Sequence, residues 1–460
     1  MASGGTHPCR GGSLPGGTLL RSAWRLRGRP KPCNAYRRFS AVRLTTECVG
    51  FHPHRQPYCP GRNHHPANRP KSGGDRPRGG IRRPCLFCGG APVKPAQRFE
   101  TFPPYTPIEP FEVLSERLGI PPDRIVKLDA NENPYGPSPK ARAALANLAY
   151  AHIYPDPESR ALRNALSAFT HVPVDYLMAG SGADELIDLV LRVILDPGDC
   201  VLHCPPTFGM YSFDTLLNGG QVIDVPRRAD FSLDLPRIQQ VIADRAPRVI
   251  FLTAPNNPDG RFPTCEEVNT VLDSPSLVVI DEAYIEFTHG DGRLGQGRSL
   301  IRQVVERENL IVLRTFSKWA GLAGLRVGYG AFPRWLMPIL WKAKQPYNVN
   351  VAASEAAIAS LQDLDILAEN VERIKTERTR LFQKLSEISY LRPFPSEANF
   401  ILCRVEGLDA AGLKRILAAQ GILVRHYATP LLQNFIRISV GRPQDTDILL
   451  ETLRKIEETL

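Results

Sequence analysis

Between positions 200 and 331 the sequence repeats one arrangement: a short, nearly unbroken apolar run, then a stretch with helical spacing. The runs occupy residues 200–203, 221–225, 249–253, 277–280, 310–313 and 327–331. A strand with one wet face alternates apolar and polar residues. A strand without alternation is covered on both faces, and the helical spacers supply the cover. The expected fold class is therefore α/β, a mostly parallel sheet between helices. In open sheets of this kind ligands sit beyond the carboxyl ends of the strands, so polar residues there carry extra weight.

Helical patterns over 159–169 and 184–194 precede these runs, with a turn-rich piece at 178–182 between them. Upstream, Pro103, Pro104, Pro107 and Pro110 give an extended arm ahead of an amphipathic segment at 112–118. Downstream, a long charged helical stretch over 352–386 leads to strand-like pieces at 400–405, 422–425 and 435–440, which read as a smaller α+β unit. The expected division is a leader over 1–98, an arm and the start of the small domain over 99–150, a large domain over 151–350, and a linking helix with the small domain over 351–460. A chain of 460 residues, 43% of them hydrophobic, can bury two such cores. No run approaches the ~18 apolar residues of a membrane span, so no membrane association is expected.

The charge is unevenly placed. Residues 1–98 hold 19 Lys or Arg against two acids, Glu47 and Asp75, whereas the whole chain is only +10. The body is therefore mildly acidic, and a nucleic-acid partner loses its main support. The leader, rich in Gly and Pro, has too little apolar periodicity to build a core and is expected to stay disordered. Its Arg-rich, acid-poor composition without an apolar h-region is that of an organellar transit peptide. Cys85 and Cys88 form a CxxC, but Cys59, His64 and His65 are only a loose second ligand set, so no metal is expected.

Three strand ends carry the chemistry. The run ending at Leu252 leads into Asn256-Asn257-Pro258-Asp259-Gly260, that ending at Ile280 into Asp281-Glu282-Ala283-Tyr284, and that ending at Leu313 into Arg314-Thr315-Phe316-Ser317-Lys318. An amide, a carboxylate, a phenol and an amine thus reach one edge of the sheet, the set that pyridoxal phosphate requires. An aldehyde cofactor is held as a Schiff base by an amine, and Lys318 is the lysine at a strand end. Its ring nitrogen stays protonated beside a buried carboxylate, for which Asp281 is placed. Asn257 and Tyr284 can donate to the phenolate oxygen, and Phe208 can cover the ring face. For the phosphate, Ser181-Gly182-Ala183 offers N–H groups at a helix start, with Thr315, Ser317 and Arg326 completing the cup.

These strings resemble the fold-type I aminotransferases. More sharply, Leu128-Asp129-Ala130-Asn131-Glu132-Asn133-Pro134-Tyr135, Tyr154-Pro155-Asp156-Pro157 and Arg314 to Lys318 resemble histidinol-phosphate aminotransferases in the form seen in plants and algae. The similarity runs from about Phe99 to the carboxyl terminus. It implies a large domain with a mostly parallel sheet, a smaller α+β domain, and Lys318 as both covalent anchor and proton shuttle. By the same resemblance, Tyr135 reaches the cofactor phosphate of a neighbouring subunit in a homodimer with shared sites. Arg437 grips the glutamate carboxylate in one half-reaction and the substrate phosphate in the other, with Arg425 and Tyr105 on the phosphate side.

The implied reaction interconverts L-histidinol phosphate and 2-oxoglutarate with imidazole acetol phosphate and L-glutamate, in histidine biosynthesis. Aromatic-amino-acid aminotransferases and threonine-phosphate decarboxylases share the cofactor cup and are the alternatives. The plant-like form implies a plastid, with the mitochondrion as the alternative. Phe208 stands where relatives often carry tyrosine, a change that keeps the stacking ring.

Overall fold

The computed structural model describes residues 94–100, 102, 110–290 and 294–460. Residues 1–93 of the leader over 1–98, with its CxxC, and Pro103, Pro104, Tyr105 and Pro107 of the arm lie outside them, while Gln97–Phe99, at the end of the leader, form a short 3-10 turn. In chain order the strands are β1 (Val126–Leu128), β2 (Leu177–Gly180), β3 (Cys200–His203), β4 (Gln221–Asp224), β5 (Val249–Thr253), β6 (Leu277–Asp281), β7 (Leu310–Thr315), β8 (Gly328–Ala331), β9 (Leu391–Pro393), β10 (Phe400–Val405), β11 (Ile422–His426) and β12 (Phe435–Ser439).

Seven strands form one sheet in the order β2-β8-β7-β6-β5-β3-β4. All neighbouring pairs from β7 to β4 are parallel, and β8 runs antiparallel to both β7 and β2. Every residue of β5, β6 and β7 is buried. Alternate side chains divide between two cores: Ile250, Leu252, Val278, Ile280 and Val312 pack on one face, Phe251, Val279, Ile311 and Leu313 on the other. The missing alternation in the sequence is thus the mark of a sheet with apolar packing on both sides.

Two local readings change. The turn-rich piece at 178–182 contributes to β2, whose Met178, Ala179 and Gly180 pair with Gly330, Tyr329 and Gly328 of β8. Pairing with β8 overrides the weak β propensity of Ala179 and Gly180. The helical stretch at 352–386 is two helices, Val351–Ser360 and Leu364–Leu385. At the break, Asp363 accepts a hydrogen bond at 2.8 Å from Lys140 N, in the first turn of the helix Pro139–Ala146.

The other five strands form a second sheet, β1-β11-β12-β10-β9. Its outer members β1 and β9 have three residues each, too few to show a period in the sequence. β1 pairs parallel to β11, far along the chain, and so fixes the loop after Leu128 beside the carboxyl-terminal strands. Among the described residues no helix is long and apolar enough to cross a membrane.

Candidate active site

Because β7, β6 and β5 are neighbours, Thr315, Asp281 and Thr253 end side by side, and the loops that follow converge on a cavity of about 750 Å³. Lys318, Asp281, Tyr284 and Asn257 line it, as do Thr315, Ser317, Arg326 and Ala183 on one side and Phe208, Arg425 and Arg437 on others.

Asp281 is buried at the end of an apolar strand, and burial pushes its carboxyl up to about 6. Two donors oppose that rise: the Tyr211 hydroxyl at 2.7 Å and Ala283 N–H at 3.0 Å. The Tyr211 oxygen also lies 2.8 Å from the Thr253 hydroxyl, and its ring stacks on Phe251 with centroids 4.5 Å apart. Tyr211 was not among the residues singled out in the sequence. It lies three positions beyond Phe208 inside an apolar helical stretch, where a tyrosine reads as core.

Lys318 Nζ donates to the Ala130 carbonyl at 3.2 Å. Burial, then the nearby Arg437 guanidinium, pull its amine down to about 8. Near neutral pH an appreciable fraction is therefore the free, nucleophilic amine. Asn131, in the same loop, donates from Nδ2 to the Tyr284 hydroxyl at 3.1 Å, which leaves the Tyr284 proton to donate elsewhere. Burial raises the Tyr284 phenol to about 12, so it stays protonated.

On the anion side, the helix Ala183–Ile194 begins at the cavity wall. Ser181 N–H is engaged by Glu185 Oε2 at 2.5 Å and Gly182 N–H by the Gly180 carbonyl at 2.9 Å, and neither residue lines the cavity. The wall-lining residues of this turn are Ala183, the last of the three in the sequence pattern, and Asp184, which follows it. First-turn N–H groups have no partner within their own helix. Thr315 and Ser317 hydroxyls lie 2.9 Å apart beside them. Space is tight: a Cβ on Gly182 would lie 2.7 Å from Arg326 Nη2, and one on Gly328 would lie 2.6 Å from Ala183 N. Gly182 also has φ +83°, a conformation L side chains rarely adopt.

Arg437 is buried, donating from Nη1 to Asn257 Oδ1 at 2.6 Å and from Nη2 to the Asp129 carbonyl at 2.7 Å. Its Nε has no protein partner. Arg425 on β11 is its register partner across the strands, and both line the cavity. Like charges set opposite each other repel, so this pair is built to meet an anion. Tyr135 does not line this cavity; the Arg373 and Arg442 guanidiniums each lie 5.7 Å from its ring centre.

Residues 123–453 match the family model described as aminotransferase class I and II. The chain belongs to that family. The aminotransferase is 54% identical over 353 residues to the chloroplastic histidinol-phosphate aminotransferase of Nicotiana tabacum, covering 76% of this chain and 84% of the relative. It is 52% identical to histidinol-phosphate aminotransferase 1, chloroplastic, of Arabidopsis thaliana, over 76% of this chain and 83% of that one. Among solved structures, the Sinorhizobium meliloti histidinol-phosphate aminotransferase in complex with pyridoxal-5'-phosphate superimposes with a TM-score of 0.72 at 26% identity, covering 80% of this chain and 99% of that one.

The residues present fit that cofactor. A half-buried amine of lowered proton affinity shares its cavity with a buried carboxylate, and Gly182, lacking a Cβ, leaves room for Arg326 at a helix start.

Proposed function

We propose that this aminotransferase moves an amino group between L-histidinol phosphate and 2-oxoglutarate, giving imidazole acetol phosphate and L-glutamate, in histidine biosynthesis. The observation that carries the substrate class is the cross-strand pair Arg425 and Arg437 in the same cavity as Lys318. A forked guanidinium binds a carboxylate or a phosphate, so one pair can serve a carboxylate of glutamate in one half-reaction and the phosphate of histidinol phosphate in the other. The identity to histidinol-phosphate aminotransferases supports the same reading.

Pyridoxal phosphate, the cofactor, supplies when bound an electron sink that acidifies the substrate Cα–H bond. Lys318 would hold it covalently and, once displaced by the substrate amine, carry the proton between the substrate and cofactor carbons. Its amine, lowered to about 8, suits both tasks near neutral pH. Asp281 would keep a proton on the ring nitrogen, steadied by Tyr211. Tyr284 would donate to the ring oxygen while accepting from Asn131, and Asn257, whose carboxamide oxygen is engaged by Arg437, would offer its NH2. Phe208 would cover the ring. Thr315, Ser317, Arg326 and the helix start at Ala183 would hold the phosphate, with Ser181 and Gly182 shaping the turn behind it.

The large sheet with its helices would form the cofactor domain, and the second sheet, with β1, the substrate-gripping domain. Tyr135, which does not line this cavity, would reach the cofactor phosphate of a second copy, giving a homodimer with shared sites. Tyr105 would touch the substrate phosphate. The plastid names of the relatives support the plastid as the site of action, with the basic leader as its transit peptide.

Steady-state rates with histidinol phosphate, phenylalanine and threonine phosphate test the substrate. Histidinol phosphate is expected to have the highest kcat/KM; faster turnover of either competitor would overturn the assignment.

A further inference from the structure

One charged side chain on the anion side has no part in the scheme above. Asp184 is the second residue of the helix Ala183–Ile194 and lines the cavity. Its Oδ2 lies 2.5 Å from Nη2 of Arg326, the nitrogen pressed against Gly182. The same guanidinium also makes a long contact, 3.5 Å from Nη1 to the Ala323 carbonyl. Arg326 itself is held at φ +56°, outside the usual range for a side-chain-bearing residue. The cationic edge that would face a phosphate therefore carries a carboxylate of the chain's own.

Electrostatics favours that carboxylate where it sits, at a helix start and beside an arginine. The same two features attract a phosphate dianion. Two anionic groups cannot both take one guanidinium edge without repelling each other, so a phosphate seated there turns the carboxylate away. Nothing obstructs this: the Asp184 and Arg326 side chains are 42% and 45% exposed, and water can receive the displaced group.

We propose that Asp184 is a resident counter-ion, which neutralises Arg326 and the helix start until a phosphate dianion displaces it, and so limits how tightly the cofactor phosphate is held. The proposal rests on the cofactor reading above. Asp184 also acts at longer range. Burial is the largest influence on both Asp281 and Lys318, but the Asp184 charge adds to the proton affinity of each. Its displacement and the arrival of the phosphate thus exchange one negative charge for another near the amine.

The test uses the full chain stripped of cofactor and titrated, by absorbance, with pyridoxal phosphate, with pyridoxal, and with inorganic phosphate as a competitor. An exposed ion pair is weak, so Asp184→Asn is expected to tighten pyridoxal phosphate and inorganic phosphate roughly 1.5- to 5-fold. Pyridoxal, which has no phosphate, is expected to bind unchanged. Weaker phosphate binding in Asp184→Asn would mean that the carboxylate positions Arg326 and would overturn the proposal. Equal changes for pyridoxal and pyridoxal phosphate would overturn it too. Asp184→Ser, which keeps a polar side chain at the helix start, repeats the comparison if the amide variant does not fold. Failure of the wild-type chain to bind pyridoxal phosphate at all would instead defeat the cofactor reading.

Discussion

Gly328 marks the point where the phosphate-side wall has no room. A Cβ there would lie 2.6 Å from Ala183 N, 2.7 Å from the Gly182 carbonyl carbon and 2.9 Å from Arg314 O, all backbone atoms that no rotamer can move aside. Ordinary contact needs about 3.4 Å or more, so Gly328→Ala must push the start of the helix Ala183–Ile194 away from β8 by roughly half an ångström or more. Overpacking of this kind costs about 1–3 kcal/mol of stability. A hydrogen bond of ~2.9 Å lengthened by that amount nears the limit of useful geometry. Loss of one charge-assisted bond to the phosphate, about 1.5–3 kcal/mol, weakens pyridoxal phosphate by roughly 10- to 100-fold.

The control is Gly330→Ala, whose Cβ would meet side chains instead: Leu313 Cδ2 at 2.7 Å and the Phe332 ring at 2.8 Å. It is expected to lower the melting temperature comparably but to leave the ratio of pyridoxal phosphate to pyridoxal affinity unchanged. Cofactor titration of the two stripped variants, with both ligands, gives the comparison. A Gly328→Ala protein with the wild-type ratio would refute the link between the glycine and the anion cup.

Other outcomes follow from the same geometry. Burial lifts the Asp281 carboxyl from 3.8 to about 6, so its contribution to stability is greatest below 3.8 and is lost as pH rises through about 6. Tyr211→Phe removes a donor to the ionised form. The cofactor-free protein should lose about 1.5–3 kcal/mol at pH 7.5 and clearly less at pH 5, read from melting curves, whereas equal losses would count against the hydrogen bond. Capture of the cofactor by Lys318 needs the free amine, so its rate should climb about tenfold per pH unit and level off above about 8; a flat profile would contradict the lowered amine. If Tyr135 serves the partner's site, mixing inactive Tyr135→Ala and Lys318→Ala subunits should restore about a quarter of wild-type activity, since half the dimers then carry one intact site of two. No recovery would place Tyr135 in its own subunit's site or outside catalysis.

What the sequence makes legible here is what depends on local pattern. Apolar runs without alternation announce a two-faced sheet, and the polar residue that ends each run lies at its carboxyl edge, so Asp281 and Lys318 can be placed before any coordinates are known. Features that depend on distant pairing are hidden. β1 has three residues and exists because β11 pairs with it from nearly three hundred positions away. Tyr211 reads as a core aromatic until its hydroxyl is seen on Asp281. Ser181 and Gly182 carry the pattern of an anion-binding turn, yet Glu185 and Gly180 already use their N–H groups, which a linear pattern cannot reveal. Asp184 looks like an ordinary acidic residue at a helix start until Arg326, on another element, closes on it.

One amine, at Lys318, would form the covalent link to the cofactor in a cavity that also holds Asp281 and the arginine pair. Borohydride reduction of the holoprotein, followed by peptide mass mapping, tests it directly. A pyridoxyl adduct is expected on Lys318, and none when histidinol phosphate is added first to convert the cofactor to its amine form. An adduct on another lysine, or none, would contradict it.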